Sequence, residues 1–209
     1  MNKFSKIARD GIWKENPVLV QLLGLGPLLT VSNSFVTAFS LGIITLLVIT
    51  SSNIIISMIR LLLHREMTIP TQIVVMATFV TLSDIALQAW YFELHHRIGL
   101  FVALIVTNYT LLGRPEILAS RKPIICSATD GFMMGIGFLW VLIVMGSIRE
   151  ILGSGTLFSD MHLLLGPVGK KLEITVVDTG FLLLILPPGA FISLGFLIAF
   201  KNFLNGIGD

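Results

Sequence analysis

The fold is decided by residues 16–29, which read NPVLVQLLGLGPLL. The apolar segment there runs from Val18 to Val31, 14 residues, and is interrupted by Gly24, Gly26 and Pro27. At about 1.5 Å per residue it makes roughly 21 Å of helix, whereas the hydrocarbon core of a bilayer is about 30 Å thick. Glycine and proline also leave backbone groups without helical partners, and inside a membrane these must meet protein, water or a ligand. The pattern therefore predicts a broken helix.

A second short segment, Ile98 to Leu112, occupies the matching place in the other half of the chain. It makes roughly 23 Å of helix, which is again too short to cross a bilayer comfortably. Residues that a spanning helix normally avoids lie in it or directly after it: Thr107, Asn108, Tyr109, Gly113 and Arg114. Paired broken segments are typical of transporters, in which they meet near the membrane midplane and form the working site. The simpler interpretation is that each break only allows a kink or close helix packing.

The composition is that of a membrane protein. Of the 209 residues, 55% are hydrophobic and 12% are charged, and the mean hydropathy is +0.92, far from the values of soluble domains. Four further apolar runs are long enough to cross a bilayer: Phe35 to Ile59, Ile69 to Phe92, Gly131 to Ile148 and Gly180 to Phe200. Because the alternation of a barrel strand is absent, the sequence predicts an all-α polytopic membrane protein with six transmembrane helices, the first and fourth discontinuous.

The six spans divide into two halves of three. Setting Gly26 against Tyr109 aligns approximately residues 12–92 with residues 98–203, and an inserted outer loop, 153–179, absorbs much of the length difference. Three spans per half is an odd number, so the second copy is inverted relative to the first. We therefore expect two inverted three-helix repeats within a single integral membrane domain, 1–209.

The distribution of positive charge predicts the orientation. Lysine and arginine resist translocation, and with six spans one side holds ten of the 14 while the other holds four. The four are Arg97, Arg149, Lys170 and Lys171. Both termini are therefore expected in the cytoplasm, and the first span is expected to be retained, because no cleavable signal pattern precedes it. The net charge of +2 follows topology and indicates no nucleic-acid partner.

One carboxylate lies well inside a predicted span. Asp84 follows Thr81-Leu82-Ser83 in the third span, where a charge costs about 2.5 to 3.5 kcal/mol on insertion scales. Gln88, one helical turn further on, is the predicted partner, with help from the hydroxyl of Thr81 or Ser83. Asp84 is interpreted either as a waypoint for a cation or proton, or as a tolerated interior acid.

Three charged residues border the fifth span. Asp130, at its cytoplasmic start, fits an N-terminal helix cap or a site of ion uptake. Arg149 and Glu150, at its outer end, fit anchors at the membrane boundary, with a subunit interface or an ion exit as the alternative. The candidates for an ion pathway are therefore Asp84, Asp130 and Glu150.

The remaining reactive residues predict little chemistry. Glu93, His95 and His96 fall in the predicted outer loop between the third and fourth spans, and a solvated turn is favoured there over a metal site. Cys126 alone forms neither an internal disulfide nor a metal or iron–sulfur site. The run from Pro187 to Gly189 is predicted to interrupt the sixth span at mid-depth.

Several blocks of sequence, in order along nearly the whole chain, carry a resemblance to one family. They are Gly11-Ile12-Trp13-Lys14 before Asn16-Pro17, Leu104 to Asn108, Gly113-Arg114, Asp130 to Phe132, Gly146 to Ile151, Gly155 to Phe158 and Leu186 to Ile192. The chain resembles the E subunits of Rnf-type ion-translocating oxidoreductase complexes and the homologous D subunits of sodium-translocating NADH:quinone reductases.

The resemblance implies a six-span subunit that pairs with a homologous subunit of opposite orientation. In that family the two subunits share an iron–sulfur cluster near the midplane, and each contributes two cysteines from its broken helices. The resemblance also implies a bacterial inner-membrane location and peripheral subunits whose flavin and iron–sulfur centres supply electrons. The whole complex would move Na⁺ or H⁺.

The chain departs from the family pattern at the two cysteine positions. The family has Leu-Gly-Leu-Cys-Pro-Leu and Val-Thr-Asn-Cys where this chain has Gly26 and Tyr109, and neither residue supplies a thiolate. Cys126 lies 17 residues after Tyr109 and is out of register. Three explanations stay open: the partner binds a cluster alone, the complex bypasses the cluster, or the subunit is kept for assembly. We expect no cofactor and no metal bound by this chain alone.

The sequence therefore predicts a membrane subunit of a complex that couples electron transfer to ion translocation, without an independent catalytic site. One alternative is a stand-alone secondary transporter with its site among Gly24 to Pro27, Thr107 to Tyr109 and Asp84. The other is a purely structural assembly subunit. A transporter would purify alone or as a homo-oligomer, whereas a subunit would purify with its complex.

Overall fold

The computed structural model describes residues 10–14, 16–59, 67–107, 124–176 and 180–206. After a π-helical turn at Asp10–Lys14, the helices are α1 (Leu25–Val31), α2 (Phe35–Ile59), α3 (Thr68–Trp90), α4 (Phe92–Ala103), α5 (Ile124–Ser154), α6 (His162–Leu165) and α7 (Pro187–Gly206). Two short strands, β1 (Thr156–Leu157) and β2 (Ile174–Thr175), follow α5. Short 3-10 turns occupy Ser159–Met161, Gly166–Leu172 and Leu182–Leu184.

Four of the described helices are long and apolar enough to cross a membrane. The qualifying stretches are Phe35–Ile59, Pro70–Trp90, Ile124–Ser154 and Pro187–Leu204. The prediction of an α-helical membrane protein is thereby confirmed, and α2 has the predicted bounds. The two broken segments contribute the shorter helices α1 and α4.

Helix α5 is longer than the apolar run from Gly131 to Ile148 that predicted it. The run ends where charged residues begin, at Asp130 on one side and at Arg149 and Glu150 on the other. All three side chains are buried, because they find polar partners within the protein. Asp130 lies in the second turn of α5, after Ile124, so the prediction that it caps the start of this helix is wrong.

The described residues form two compact units. One contains the residues up to Gly24 together with Leu41–Leu139, and the other contains Leu25–Ser40 together with the residues from Trp140 onward. In the first unit, α3 and α4 form a helical hairpin whose turn is the single residue Tyr91. The Tyr91 N–H still donates to the carbonyl of Leu87, 2.8 Å away, which ends α3.

The hairpin corrects the prediction of a solvated outer loop. Glu93, His95 and His96 lie in the first turns of α4. The physical reason is a helical stripe of apolar residues that extends before the predicted segment: Leu94, Ile98 and Val102 recur every four residues and are buried, and Leu94 precedes that segment. This stripe starts the helix six residues before the apolar segment begins.

Glycines let α2 and α5 approach closely in the first unit. Gly131 and Gly135 are four residues apart on α5, the spacing of small residues at membrane helix interfaces. A Cβ at Gly135 would lie 2.9 Å from the Leu46 Cα, and one at Gly131 would lie 2.5 Å from Asn53 Nδ2. Asn53 and Ser127 also bond reciprocally, since Asn53 Nδ2 donates to the Ser127 carbonyl and Ser127 Oγ donates to the Asn53 carbonyl.

The second unit contains the ribbon and the start of α7. Strands β1 and β2 pair antiparallel, with Thr156 opposite Thr175. Helix α7 begins at Pro187, so the prediction that Pro187 to Gly189 interrupts a span is wrong. Proline fits the first helical positions because its missing N–H would have no intrahelical acceptor there. The prolines therefore start a helix and break none.

Candidate functional site

The first broken segment is interrupted directly before α1. Leu22 and Gly24 both adopt left-handed backbone conformations, with φ of 52° and 74°. Glycine reaches this region freely, but for leucine it is uncommon. Helix α1 then starts at Leu25, which puts Gly26 and Pro27 in its first turn, where a missing N–H costs nothing.

The side chain of Asn16 forms hydrogen bonds with the backbone directly before this break. Its Oδ1 accepts hydrogen bonds of 3.0 Å from the N–H groups of Val18 and Leu19, as Asx turns do. Its Nδ2 donates to the carbonyls of Ile12, at 3.0 Å, and of Gly137 on α5, at 2.8 Å. Asn16 is fully buried and uses its whole amide, so it fixes the approach to the broken segment.

Gly26 has open space around it. A Cβ built there meets no heavy atom within 4 Å, and the Gly26 carbonyl accepts a hydrogen bond of 2.9 Å from Thr30 Oγ1. The position could therefore hold a side chain, but glycine supplies no ligand atom. Among the candidate residues of the second broken segment, the structure describes Thr107, whose Oγ1 donates to the Leu104 carbonyl at 2.8 Å. Asn108, Tyr109, Gly113 and Arg114 lie outside the described residues.

The described residues do not fit an iron–sulfur cluster of the family type. Such clusters need cysteine thiolates, and position 26 offers none. Cys126 is a single buried thiol on α5. Within the ranges that the structure describes, no three His, Cys, Asp or Glu side chains come together as a metal site.

Arg149 belongs to the second unit and is 1% exposed. Its Nη1 donates to the Leu29 carbonyl at 2.7 Å and to Ser32 Oγ at 2.8 Å. Its Nε donates to the Leu184 carbonyl at 3.0 Å, and its Nη2 donates to the Ile185 carbonyl. Leu29 is in the last turn of α1, and Leu184 ends a 3-10 turn. Carbonyls at helix ends lack intrahelical donors and carry partial negative charge, which a guanidinium complements.

Glu150 is equally buried but contacts different groups. Its Oε2 accepts a hydrogen bond of 2.7 Å from the N–H of Phe35, the first residue of α2. Its Oε1 accepts from the N–H of Ser159 at 2.8 Å and from its Oγ at 2.9 Å. A carboxylate at a helix N-terminus is favourable because the free N–H groups and the helix dipole are positive there. Glu150 therefore caps α2 from another helix.

The hydrogen bonds of Arg149 and Glu150 favour a structural role for both residues. Sequence reasoning treated them as boundary charges, with Glu150 as a candidate for ion exit. Both carboxylate oxygens of Glu150 already have protein donors, which favours a structural role. Adjacent residues on a helix point about 100° apart, so Arg149 and Glu150 face different neighbours. Two opposite charges next to each other in an apolar helix are therefore the sequence signal that could have predicted a separate buried partner for each.

Asp84 pairs with a residue that sequence reasoning missed. Its Oδ1 lies 3.0 Å from Nε2 of His95, across the hairpin of α3 and α4. The predicted partner Gln88 is exposed, and the hydroxyl of Thr81 donates to the Ala77 carbonyl instead. That part of the prediction is wrong, because the one-residue turn folds α4 back along α3 and brings His95 beside Asp84.

Four apolar spanning helices, a broken segment and buried polar contacts at helix ends define a polytopic α-helical membrane protein. Comparison with known families gives a more specific result, since residues 4–198 match the family described as Rnf-Nqr subunit, membrane protein. The chain belongs to this family.

Its relatives have one name in common. A protein of Pseudoalteromonas atlantica is 47% identical over 98% of this chain and 89% of its own length. One of Shewanella frigidimarina is 48% identical over 98% of this chain and 90% of its own length. One of Pseudomonas aeruginosa is 47% identical over 95% of this chain and 84% of its own length. Each is named as the E subunit of an ion-translocating oxidoreductase complex.

Proposed function

We propose that the chain is a membrane subunit of a complex that couples electron transfer to the translocation of ions across the membrane. The observation that carries the proposal is the match, at 47–48% identity over nearly the full chain, to relatives that are named as E subunits of such complexes. A similarity of this extent covers the broken segment, the contacts of Arg149 and Glu150, and the spanning helices together. Its partners are the other membrane and peripheral subunits of that complex.

Affinity purification tests this proposal. A tagged chain, extracted in mild detergent, is expected to bring down further membrane subunits and subunits with flavin or iron–sulfur absorbance. Purification of the chain alone or as a homo-oligomer would instead support a stand-alone transporter. The purified complex, reconstituted in vesicles, is expected to move ions only while electrons are supplied.

The proposal includes a topology of six spans in two inverted repeats, with both termini in the cytoplasm of a bacterial cell and the chain in its inner membrane. The bias of lysine and arginine supports this orientation, and the break before α1 supports a discontinuous first helix. The homologous six-span subunit of opposite orientation is the proposed neighbour. Because Cys126 is the only cysteine, a Cys126→Ser background permits single cysteines to be labelled from either side of the membrane, which tests the topology directly.

We also propose that no iron–sulfur cluster is held by this chain. Gly26 supplies no ligand, and Tyr109 replaces the second family cysteine. The complex would then have a cluster held by the partner alone, a path that bypasses it, or a subunit retained for assembly. The sequence of the partner separates these cases, since loss of its matching cysteines would remove the cluster from the complex.

Asp84 and Asp130 remain the proposed groups of an ion pathway. Both are carboxylates on helices that are long and apolar enough to span the membrane, where an acid is a functional candidate by default. Asp84→Asn is expected to slow ion translocation in the reconstituted complex. Transport at the original rate would remove Asp84 from the pathway.

A further inference from the structure

The segment of residues 165–176, between α5 and α7, exposes apolar side chains outside the spanning stretches. It runs from the end of α6 through the 3-10 turn Gly166–Leu172 and strand β2, whereas the neighbouring spanning stretches end at Ser154 and begin at Pro187. Five large apolar side chains of the segment are 44–65% exposed: Leu165, Val168, Leu172, Ile174 and Val176. Apolar surface concentrated in this way indicates contact with a protein or a membrane rather than with water.

Backbone hydrogen bonds hold this segment close to the end of α5. The Val176 N–H donates to the Gly155 carbonyl at 2.7 Å, and Thr175 in β2 pairs with Thr156 in β1. Thr156 follows Ser154, the last residue of α5, by two residues, which corresponds to about 7 Å of extended chain. The headgroup region on each side of a bilayer is about 5 to 8 Å thick. Strand β2 is therefore close enough to the end of α5 to lie among the headgroups.

Exposed apolar residues also join this segment to the spanning helices. Leu152, in the last turn of α5, is exposed, and its carbonyl accepts a hydrogen bond of 2.9 Å from the N–H of Phe181. Phe181, Leu182 and Leu186 are exposed as well and lead into α7 at Pro187. Apolar surface therefore borders the segment where it meets both helices, and the bilayer is the apolar phase that surrounds spanning helices.

Two lysines favour lipid over a protein partner as the occupant of this surface. Lys170 and Lys171 are exposed at the end of the 3-10 turn, between Val168 and Leu172. Glu173 is the one acidic residue of the segment, so its net charge is positive. Lysine is depleted in interfaces between proteins, whereas elements that lie in a membrane interface combine apolar side chains with lysines. The composition therefore indicates the bilayer.

Gly169 fixes the shape of this surface. It is buried, and a Cβ there would collide with the carbonyl of Met161, which ends the preceding 3-10 turn. The two turns pack closely because position 169 has no side chain. Val168 and Lys170, the neighbours of Gly169, are exposed on the outside of this packed element.

We propose that residues 165–176 lie in the headgroup region of the bilayer and bind anionic phospholipid there. The apolar side chains of this segment reach the boundary of the acyl chains, while the ammonium groups of Lys170 and Lys171 contact phosphate oxygens. Lysine suits this arrangement because its stem packs on apolar surface while its charge stays in the polar layer. The inference uses only the membrane location of the chain and does not depend on the redox or ion chemistry of the complex.

Photo-crosslinking tests this placement in the complex, reconstituted in vesicles of phosphatidylcholine with about one quarter phosphatidylglycerol. The photoreactive residue p-benzoyl-phenylalanine, in place of Val168, is expected to give adducts of this chain with phospholipid, which are identified by their mass. The same residue in place of Phe196, an exposed position on α7, is the control for the efficiency of the reaction. Adducts mainly to another subunit at position 168, or no adduct there while position 196 reacts, overturn the inference.

Charge variants test the preference for anionic lipid. Among the adducts at position 168, phosphatidylglycerol should be enriched about twofold or more over its share of the vesicle lipid. Lys170→Gln should lower this enrichment, whereas Glu173→Gln, the matched control, removes the neighbouring acid and should retain or raise it. Adducts in the proportions of the bulk lipid, unchanged by Lys170→Gln, overturn the binding of anionic lipid. Failure of the proposed function is a different result, because it appears as a chain that purifies without any complex.

Discussion

Nη1 of Arg149 donates a hydrogen bond of 2.7 Å to the carbonyl oxygen of Leu29, in the last turn of α1. The same guanidinium binds Ser32 and the carbonyls of Leu184 and Ile185. The helix that carries Gly26 is therefore held at its far end by a buried cation. This contact fixes the end of α1, although position 26 in the same helix supplies no ligand atom.

Removal of this cation should destabilise the protein strongly. Arg149→Met loses four hydrogen bonds and leaves buried acceptors unpaired, for which we expect a loss of about 3 kcal/mol or more in the free energy of unfolding. Arg149→Lys should recover little of it, because an ammonium group lacks the planar fork of the guanidinium. Thermal unfolding of the purified complex measures the difference.

Lys171→Met is the control, since this lysine is exposed in the 3-10 turn Gly166–Leu172. A surface change of this kind is expected to alter stability by about 0.5 kcal/mol or less. Equal stability of the two methionine variants would show that the contacts of Arg149 do not stabilise the fold.

Glu150 is predicted to act through the start of α2. Glu150→Gln weakens charge-assisted hydrogen bonds to Phe35 and Ser159, and we expect about 1.5 to 3 kcal/mol of destabilisation. Hydrogen exchange should become faster at the N–H of Phe35. The exposed Glu93→Gln serves as the control. If Glu150→Gln instead slowed ion transport at unchanged stability, Glu150 would belong to the ion pathway and our structural interpretation would be wrong.

The glycines of α5 are predicted to be sensitive to a single methyl group. Gly135→Ala brings Cβ to 2.9 Å from the Leu46 Cα, a backbone atom that moves only with its helix. We expect a cost of about 1 to 3 kcal/mol, the usual range for overpacking. Gly195→Ala on α7 has no neighbour within 4 Å and should be neutral or more stable by up to about 1 kcal/mol, because alanine favours helix. A smaller effect at position 135 than at position 195 would contradict close packing of α2 on α5.

The sequence predicts the long helices well where hydropathy alone decides. Helix α2 begins and ends as predicted, because polar or charged residues border a continuous apolar run. Hydropathy does not predict the end of α5, because Arg149 and Glu150 are charged residues of the kind that usually mark the boundary of a span. Their burial depends on acceptors and donors that are distant in sequence, such as Leu29 and Phe35, and no local pattern reports these.

In the candidate site, too, some features can be predicted from the sequence and others depend on the fold. Asp84 stands out in the sequence because a carboxylate in an apolar span is costly. Its partner does not stand out, because His95 comes beside it only through the turn at Tyr91. The break at Gly24 is visible from composition, but the start of α1 before Gly26 and Pro27 depends on the left-handed backbone at Leu22 and Gly24.

We propose that this chain keeps a broken-helix scaffold and holds no iron–sulfur cluster. Iron analysis and electron paramagnetic resonance of the purified complex test it, with Gly26→Ala and Tyr109→Phe compared against the unaltered chain. The methyl group of Gly26→Ala has open space, so this substitution should leave the fold intact. We predict the same iron content and the same spectrum in all three complexes. A cluster signal that disappears when residue 26 or 109 is changed would contradict the claim.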